Sequence, residues 1–253
     1  MISRWRCLCA YDGTDFAGWQ KQPSGDAVQD KIEKGLEGIF HSPVRTVGAG
    51  RTDAGVHAKG QVFHFDFPWR HGSEKLLHAM RAHLPVGISP RSVVPVRPFF
   101  HSQISAKGKR YRYCAVEGWA MPKDDRFVLS LKKQRLDLGK MKMASQYLVG
   151  THDFSSFCAS RGKGEEENTL RTVWKVDVSK RGSAFKIDVE GSGFLYKMVR
   201  SFVGVLFDVG VGRIEPSDVE RILKNKKRSE KVVSAPAKGL CLEKVFYRKP
   251  ALG

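Results

Sequence analysis

A chain of 253 residues with 41% hydrophobic and 28% charged side chains can bury one large core or two smaller ones, which excludes a disordered or fibrous polypeptide. Its charge is unusual: 44 Lys and Arg against 26 Asp and Glu leave a net +18, which points to a polyanionic partner, nucleic acid first. Most of the excess lies in residues 106–253, with 31 basic and 17 acidic residues, against 13 and 9 in residues 1–105.

Trp5, Cys7, Cys9 and Tyr11 alternate on an opening strand that stops at Asp12-Gly13. Val28, Ile32, Leu36, Ile39 and Phe40 then fall on one stripe of a helix. Residues 43–47 and 61–67 read as strands, the second alternating as a half-buried strand does. Between them, glycines 48, 50 and 55 form a loop that presents Asp53, with Arg51 two residues before it to orient the carboxylate and keep it ionised. Ser73 is placed to cap a second helix through Leu76, Leu77, Met80 and Leu84, stopped by Pro85, and a Pro-interrupted strand runs over 88–96. That order matches the split βαβ, ferredoxin-like arrangement.

After a junction at 97–108 the plan recurs. A strand spans 109–116 and a helix 138–149, followed by a hairpin of 174–178 with 185–189 around the turn 180–183. Leu195, Met198, Val199, Phe202, Val203 and Leu206 mark an amphipathic helix, a short helix follows Pro216, and residues 242–246 close as a strand. The expected fold is α+β, with two ferredoxin-like (βαββαβ) halves whose antiparallel sheets join around a central basic cleft. Residues 1–105 carry the Asp53 loop; residues 106–253 carry an aromatic strand and most of the basic surface. Loops at 121–126 and 160–168 are expected to be mobile. The basic run 224–228 reads as a solvated helix end, with RNA contact a secondary role.

Five dispersed cysteines without a Cys-x-x-Cys pair predict reduced thiols rather than a disulfide framework. The eight histidines lack metal-ligand spacing, so His57 and His101 read as structural, and no metal is expected. No apolar run reaches membrane-spanning length, and the stretch after Arg4 and Arg6 does not read as a signal peptide. Gly48-Ala49-Gly50 fails as a dinucleotide fingerprint, and the glycines at 204, 210 and 212 fail as a phosphate loop. Asp53 lacks a second carboxylate for hydrolysis, and by spacing alone it reads as a solvated turn aspartate before a catalytic one. The strand Lys109-Arg110-Tyr111-Arg112-Tyr113 interleaves cations with aromatic rings, a pattern suited to stacking a base beside phosphate contacts, although Tyr113 reads equally as a core residue.

Six segments together resemble the TruA-type tRNA pseudouridine synthases. They are residues 11–20 (YDGTDFAGWQ), 50–58 (GRTDAGVHA), 109–113 (KRYRY), 152–157 (HDFSSF), 193–200 (GFLYKMVR) and 235–240 (APAKGL). The resemblance implies conversion of uridine to pseudouridine without cofactor or metal, at positions 38 to 40 of the tRNA anticodon stem-loop, by a cytoplasmic homodimer. An organellar location would follow if a targeting segment had been removed. By the same resemblance Asp53 is the catalytic aspartate, Tyr111 stacks on the target base, and Arg51 and Arg200 join the catalytic charge network. Lys109, Arg110, Arg112 and Lys197 are the expected RNA contacts. One departure stands out: Phe100-His101-Ser102-Gln103 occupies the place of the family's Phe-His-Ala-Arg, so one cation is missing. Rival readings are a non-catalytic RNA-binding or ribosome-assembly factor, and the same chemistry on ribosomal or organellar RNA.

Overall fold

The computed structural model describes residues 3–159 and 168–248. Most of the loop expected at 160–168, with its three glutamates, lies outside the described residues. In chain order the elements begin with β1 (Ser3–Tyr11), α1 (Val28–Phe40), β2 (Val47–Gly48), β3 (His57–Phe67), α2 (Gly72–His83) and β4 (Ile88–Val96). They continue as β5 (Gly108–Val116), β6 (Leu129–Ser130), α3 (Leu138–Gln146), β7 (Gly150–Asp153), β8 (Leu170–Arg181) and β9 (Ala184–Gly191). The last are α4 (Met198–Gly210), α5 (Asp218–Lys224) and β10 (Leu240–Phe246). The fold is α+β; of the strand pairings described, β3 with β10 and β5 with β6 are parallel and the others antiparallel.

The described residues form two compact units, one of residues 3–107 and 241–248, the other of residues 108–159 and 168–240. In the first, β1 lies between β4 and β3, and β3 also pairs with β2 and with β10. The last strand therefore returns to the first unit, whereas the sequence reading assigned it to residues 106–253. Cys241 opposite His57 and Leu242 opposite Ala58 make that pairing. Pro90 and Pro95 are tolerated because β4 is a sheet edge, where a missing N–H breaks no second ladder. The core joins Trp5, Cys7, Cys9 and Tyr11 of β1 to Phe63 and Phe65 of β3, Ile32 and Leu36 of α1, and Leu76 and Met80 of α2. Burial pushes the free Cys9 thiol up to about 12 and Cys7 well above its ordinary value, so both are inert as nucleophiles.

In the second unit the order is β5-β9-β8-β7. The β8–β9 hairpin turns through Gly182 and Ser183, and Gly182 has φ 58, the sign required at the first position of a type II′ turn. One face places Tyr113, Ala115, Val176, Val178, Phe185, Ile187 and Val189 in the core. Met141 and Ala144 of α3 and Phe202, Val203 and Leu206 of α4 are buried with them.

Several boundaries differ from the sequence expectation. The strand expected at 43–47 is reduced to Val47–Gly48. The chain turns into α2 through Gly72, at φ 79, so Ser73 sits inside the first turn and His71 holds the cap position. Helix α4 starts at Met198 because Lys197 is left-handed, at φ 56; Leu195 is buried in the preceding turn, where its carbonyl accepts the Met198 N–H. The short strands β6 and β7 carry too few residues to show a period. Most of β3 is buried on both faces rather than alternating, because the turn at 100–105 covers the side that the alternation left polar.

That turn carries the departure at Ser102. Fully buried Ser102 gives its hydroxyl to the Val47 carbonyl and lies 3.0 Å from His64 Nδ1, which also accepts the Ser102 N–H. His101 folds its Nδ1 back onto the Gln103 and Ile104 amides, in keeping with a structural histidine. Burial first, then the charges of Arg4 and His101, lowers the His64 pKa from 6.5 to about 4. A depressed histidine makes the unfolded chain the stronger proton acceptor. Stability should therefore be complete above pH about 6.5 and decline as pH falls towards about 4. Between pH 7.5 and 5 the loss should be about 1–2 kcal/mol, read as a shift in urea midpoint. In His64→Asn that shift should shrink; an unchanged shift would mean that His64 is not its source.

Candidate active site

Asp53 stands half-buried in the loop between β2 and β3, and backbone geometry explains its presentation. The Val56 N–H closes a tight turn onto the Asp53 carbonyl at 3.1 Å, with Gly55 at φ 76. The Gly50 carbonyl accepts from Gln61 Nε2 at 2.9 Å, and Thr52 Oγ1 lies 2.8 Å from the Tyr11 hydroxyl. Gln61 is fully buried in mid-strand, a placement that makes sense only if its amide serves a buried partner.

The segment from Tyr11 to Gln20 clamps the same loop. Trp19 N–H donates to the Thr52 carbonyl at 3.0 Å. His57 Nδ1 accepts the Gly13 N–H at 3.0 Å and lies 3.1 Å from Asp12 Oδ1. Two glycines allow the approach. A Cβ on Gly13 would stand 2.1 Å from the Val56 carbonyl oxygen, and one on Gly18 would stand 2.6 Å from that of Thr52. The segment is tied in turn to α1, whose Val28 and Gln29 N–H groups donate to the Gly18 and Trp19 carbonyls. Two motifs about forty residues apart thus form one interlocked unit on the end of a helix.

Arg51 is exposed, and its Nε donates to Gln20 Oε1 at 3.0 Å. Gln20 passes its own amide to Gln29 Oε1, and Gln29 Nε2 reaches the Thr46 carbonyl. The hydrogen bond described for Arg51 thus runs to Gln20, and α1 sets its orientation. Bracing of Asp53 by Arg51, expected from their spacing, is not among the described contacts. Neither Gln20 nor Gln29 was singled out from the sequence, because nothing local distinguishes a glutamine relay from surface polarity.

The remaining expected residues lie in the second unit. Tyr111 is buried on β5, and the Phe194 ring meets it edge-on at 5.5 Å and 84°, which fixes its plane. Tyr113 proves to be a core residue: its ring lies against Phe207, its hydroxyl donates to the Pro236 carbonyl, and burial raises its pKa. On the opposite face, Arg110 pairs with Glu190 at 2.7 Å and Arg112 makes a two-point contact with Asp188 at 2.8 and 2.9 Å. These arginines stitch β5 to β9, so much of their charge is already matched by acids. Lys109 sits at the start of β5, where burial and then Arg171 lower its pKa. Lys197 leads into α4 with its ammonium 5.1 Å from the Tyr196 ring centroid. Arg200, in the first turn of α4, exchanges two bonds with Ala235: Arg200 Nε to the Ala235 carbonyl at 2.7 Å, and Ala235 N–H to the Arg200 carbonyl at 2.9 Å. Among the described residues no group of three or more His, Cys, Asp or Glu is placed to hold a metal ion, and no helix is long and apolar enough to cross a membrane.

A family model described as tRNA pseudouridine synthase matches residues 144–248. A Bacillus licheniformis protein named tRNA pseudouridine synthase A is 42% identical over 246 residues, covering 96% of this chain and 99% of its own. The Exiguobacterium sibiricum protein of that name is 39% identical over 252 residues and covers both chains fully, and that of Bacillus subtilis is 39% identical over 246 residues. A solved Cbf5–Nop10–Gar1 complex shares 11% identity at a TM-score of 0.35, over 80% of this chain and 45% of that one, a likeness too weak to carry an argument. Identity at this level runs through both units rather than through one motif, and on that ground the chain belongs to the tRNA pseudouridine synthase A family.

Proposed function

We propose that this protein isomerises uridine to pseudouridine in the anticodon stem-loop of tRNA, with Asp53 acting on the nucleotide. The observation that carries the reading is the interlock of the Asp53 loop with residues 11–20, which presents one carboxylate on a rigid backbone. In the reaction the N1–C1′ bond of uridine breaks, the uracil rotates, and C5 bonds to C1′. The C5 proton leaves to solvent and N1 gains a proton, so substrate and product are isomers. Asp53 serves as nucleophile, or as the base that takes a sugar proton. A stacked uridine is out of reach, so the nucleotide must be flipped out, and Tyr111 offers a ring of fixed plane against its base. Arg51 and Arg200 supply the positive charge around the carboxylate.

The first unit runs βαββαβ from β1 to β4, as a ferredoxin-like half does, while the second unit ends on α5 because β10 pairs with β3; on the two-half reading, a basic cleft between the joined sheets would follow the phosphate backbone. Lys109 and Lys197, together with whatever charge Arg110 and Arg112 retain beyond Glu190 and Asp188, are the proposed phosphate contacts. The active form is a cytoplasmic homodimer, and exposed Phe99, Ile104, Trp119, Met121 and Phe127 supply apolar surface for it.

The test is release of tritium from tRNA labelled at uridine C5, without added metal. Release is expected, and none from a broad tRNA pool would favour a binding-only protein. Ribosomal RNA as sole effective substrate would move the same chemistry to another RNA. Affinity for tRNA should fall about 10³-fold or more between 50 and 200 mM salt if six or more phosphates are neutralised. A salt-independent constant would rule out the basic surface.

A further inference from the structure

The basic run Lys224 to Arg228 divides in the folded protein. Residues 224–227 are exposed, whereas Arg228 turns inward. Its Nη1 donates to the Phe157 carbonyl at 3.2 Å and to Ser201 Oγ at 2.9 Å. Its Nη2 donates to the Val232 carbonyl at 2.5 Å and to Ser234 Oγ at 3.2 Å. All four acceptors are neutral, and among the described residues no carboxylate pairs with it. A solvated helix end would not place a guanidinium against four internal oxygens.

Those oxygens lie on three segments, two of which flank Arg200. Ser201 is its neighbour in α4, and its Oγ also lies 3.1 Å from Ser234 Oγ. Residues 232 and 234 immediately precede Ala235, whose backbone makes both bonds to Arg200. The two segments touch closely: a Cβ on Gly204 would stand 1.9 Å from the Val233 carbonyl oxygen. The Ala235 carbonyl that accepts from Arg200 Nε directly follows residues 232–234 in the chain, so a shift of those residues is passed to it.

We infer that Arg228 is a positioning residue for the isomerisation: its forked guanidinium locks residues 232–234 against α4 and so sets the aim of Arg200. The inference rests on the proposed role of Arg200. Lysine would keep the charge, but a single nitrogen cannot span four acceptors arranged for a planar fork. Arg228→Lys should therefore lower single-turnover kcat about 10-fold while tRNA KM stays within about 2-fold. Ser234→Ala, a milder cut in the same network, should lower it about 3-fold.

The deciding experiment is a double-mutant cycle with Arg200→Gln, on proteins whose thermal unfolding shows them to be folded. If Arg228 acts through Arg200, Arg228→Lys should cost less than about 2-fold in the Arg200→Gln background. A full 10-fold loss in that background, or a loss expressed in KM, would overturn the inference and leave the role of Arg200 intact. Wild-type turnover by Arg200→Gln alone would instead remove the role of Arg200, and the inference with it. Should Arg228→Lys fail to fold, the same cycle run with Ser234→Ala decides between these outcomes.

Discussion

Asp53→Asn should abolish turnover while leaving the protein folded and able to bind tRNA. The amide matches the carboxylate in shape but offers neither the charge nor the basicity that the chemistry requires. The loop should survive the change because the bonds described for the Gly50, Thr52, Asp53 and Gly55 backbones, the Thr52 hydroxyl and the Arg51 side chain all stay in place. A loss of about 10⁴-fold or more in kcat is expected, with tRNA affinity within about 3-fold and melting temperature within about 2 °C. Tritium release and a filter-binding titration on the same preparation measure both quantities. Turnover within about 10-fold of the parent would mean that some other group performs the chemistry.

Gly18→Ala should be a damaging change although it is conservative and remote from the reacting atoms. Gly18 has φ 85, where an L side chain is strained by roughly 1–2 kcal/mol. Its Cβ would also press on the Thr52 carbonyl oxygen at 2.6 Å and on the Asp53 carbonyl carbon at 3.1 Å. Backbone atoms cannot rotate away as a side-chain tip can, so either the segment or the Asp53 loop must shift. Destabilisation of about 2–4 kcal/mol is expected, with kcat down about 10²-fold because the carboxylate moves with its loop. Gly25→Ala separates strain from contact: its φ is 72, but nothing lies within 4 Å of a Cβ there. It should cost about 1 kcal/mol and leave turnover unchanged. Equal behaviour of the two variants would show that the interlock does not govern the loop.

Long amphipathic elements were legible in the sequence because their residues repeat a period over enough turns to identify a buried face. Helix α1, with Val28, Ile32 and Leu36, and the β8–β9 hairpin, with Gly182 at its turn, are of this kind. Boundaries were less legible wherever one backbone angle decided them, as Lys197 does at the start of α4 and Gly72 at the start of α2. Within the candidate site, Asp53 could be singled out from a charged group among glycines. Tyr113 could not be separated from Tyr111, because both alternate on the same face of β5.

Patterning, charge and the six motif segments determined that this is a basic α+β protein, marked Asp53 as its candidate carboxylate, and showed which family it resembles. These are local or additive properties, carried by neighbouring residues or by sums over the chain. Only the tertiary structure decided which groups meet: residues 11–20 on the Asp53 loop, Arg51 on Gln20, Arg110 and Arg112 on acids of β9, and Arg228 on Ser201 and residues 232 and 234. Such pairings depend on the orientation of side chains far apart in sequence, which chain folding sets and no local period records.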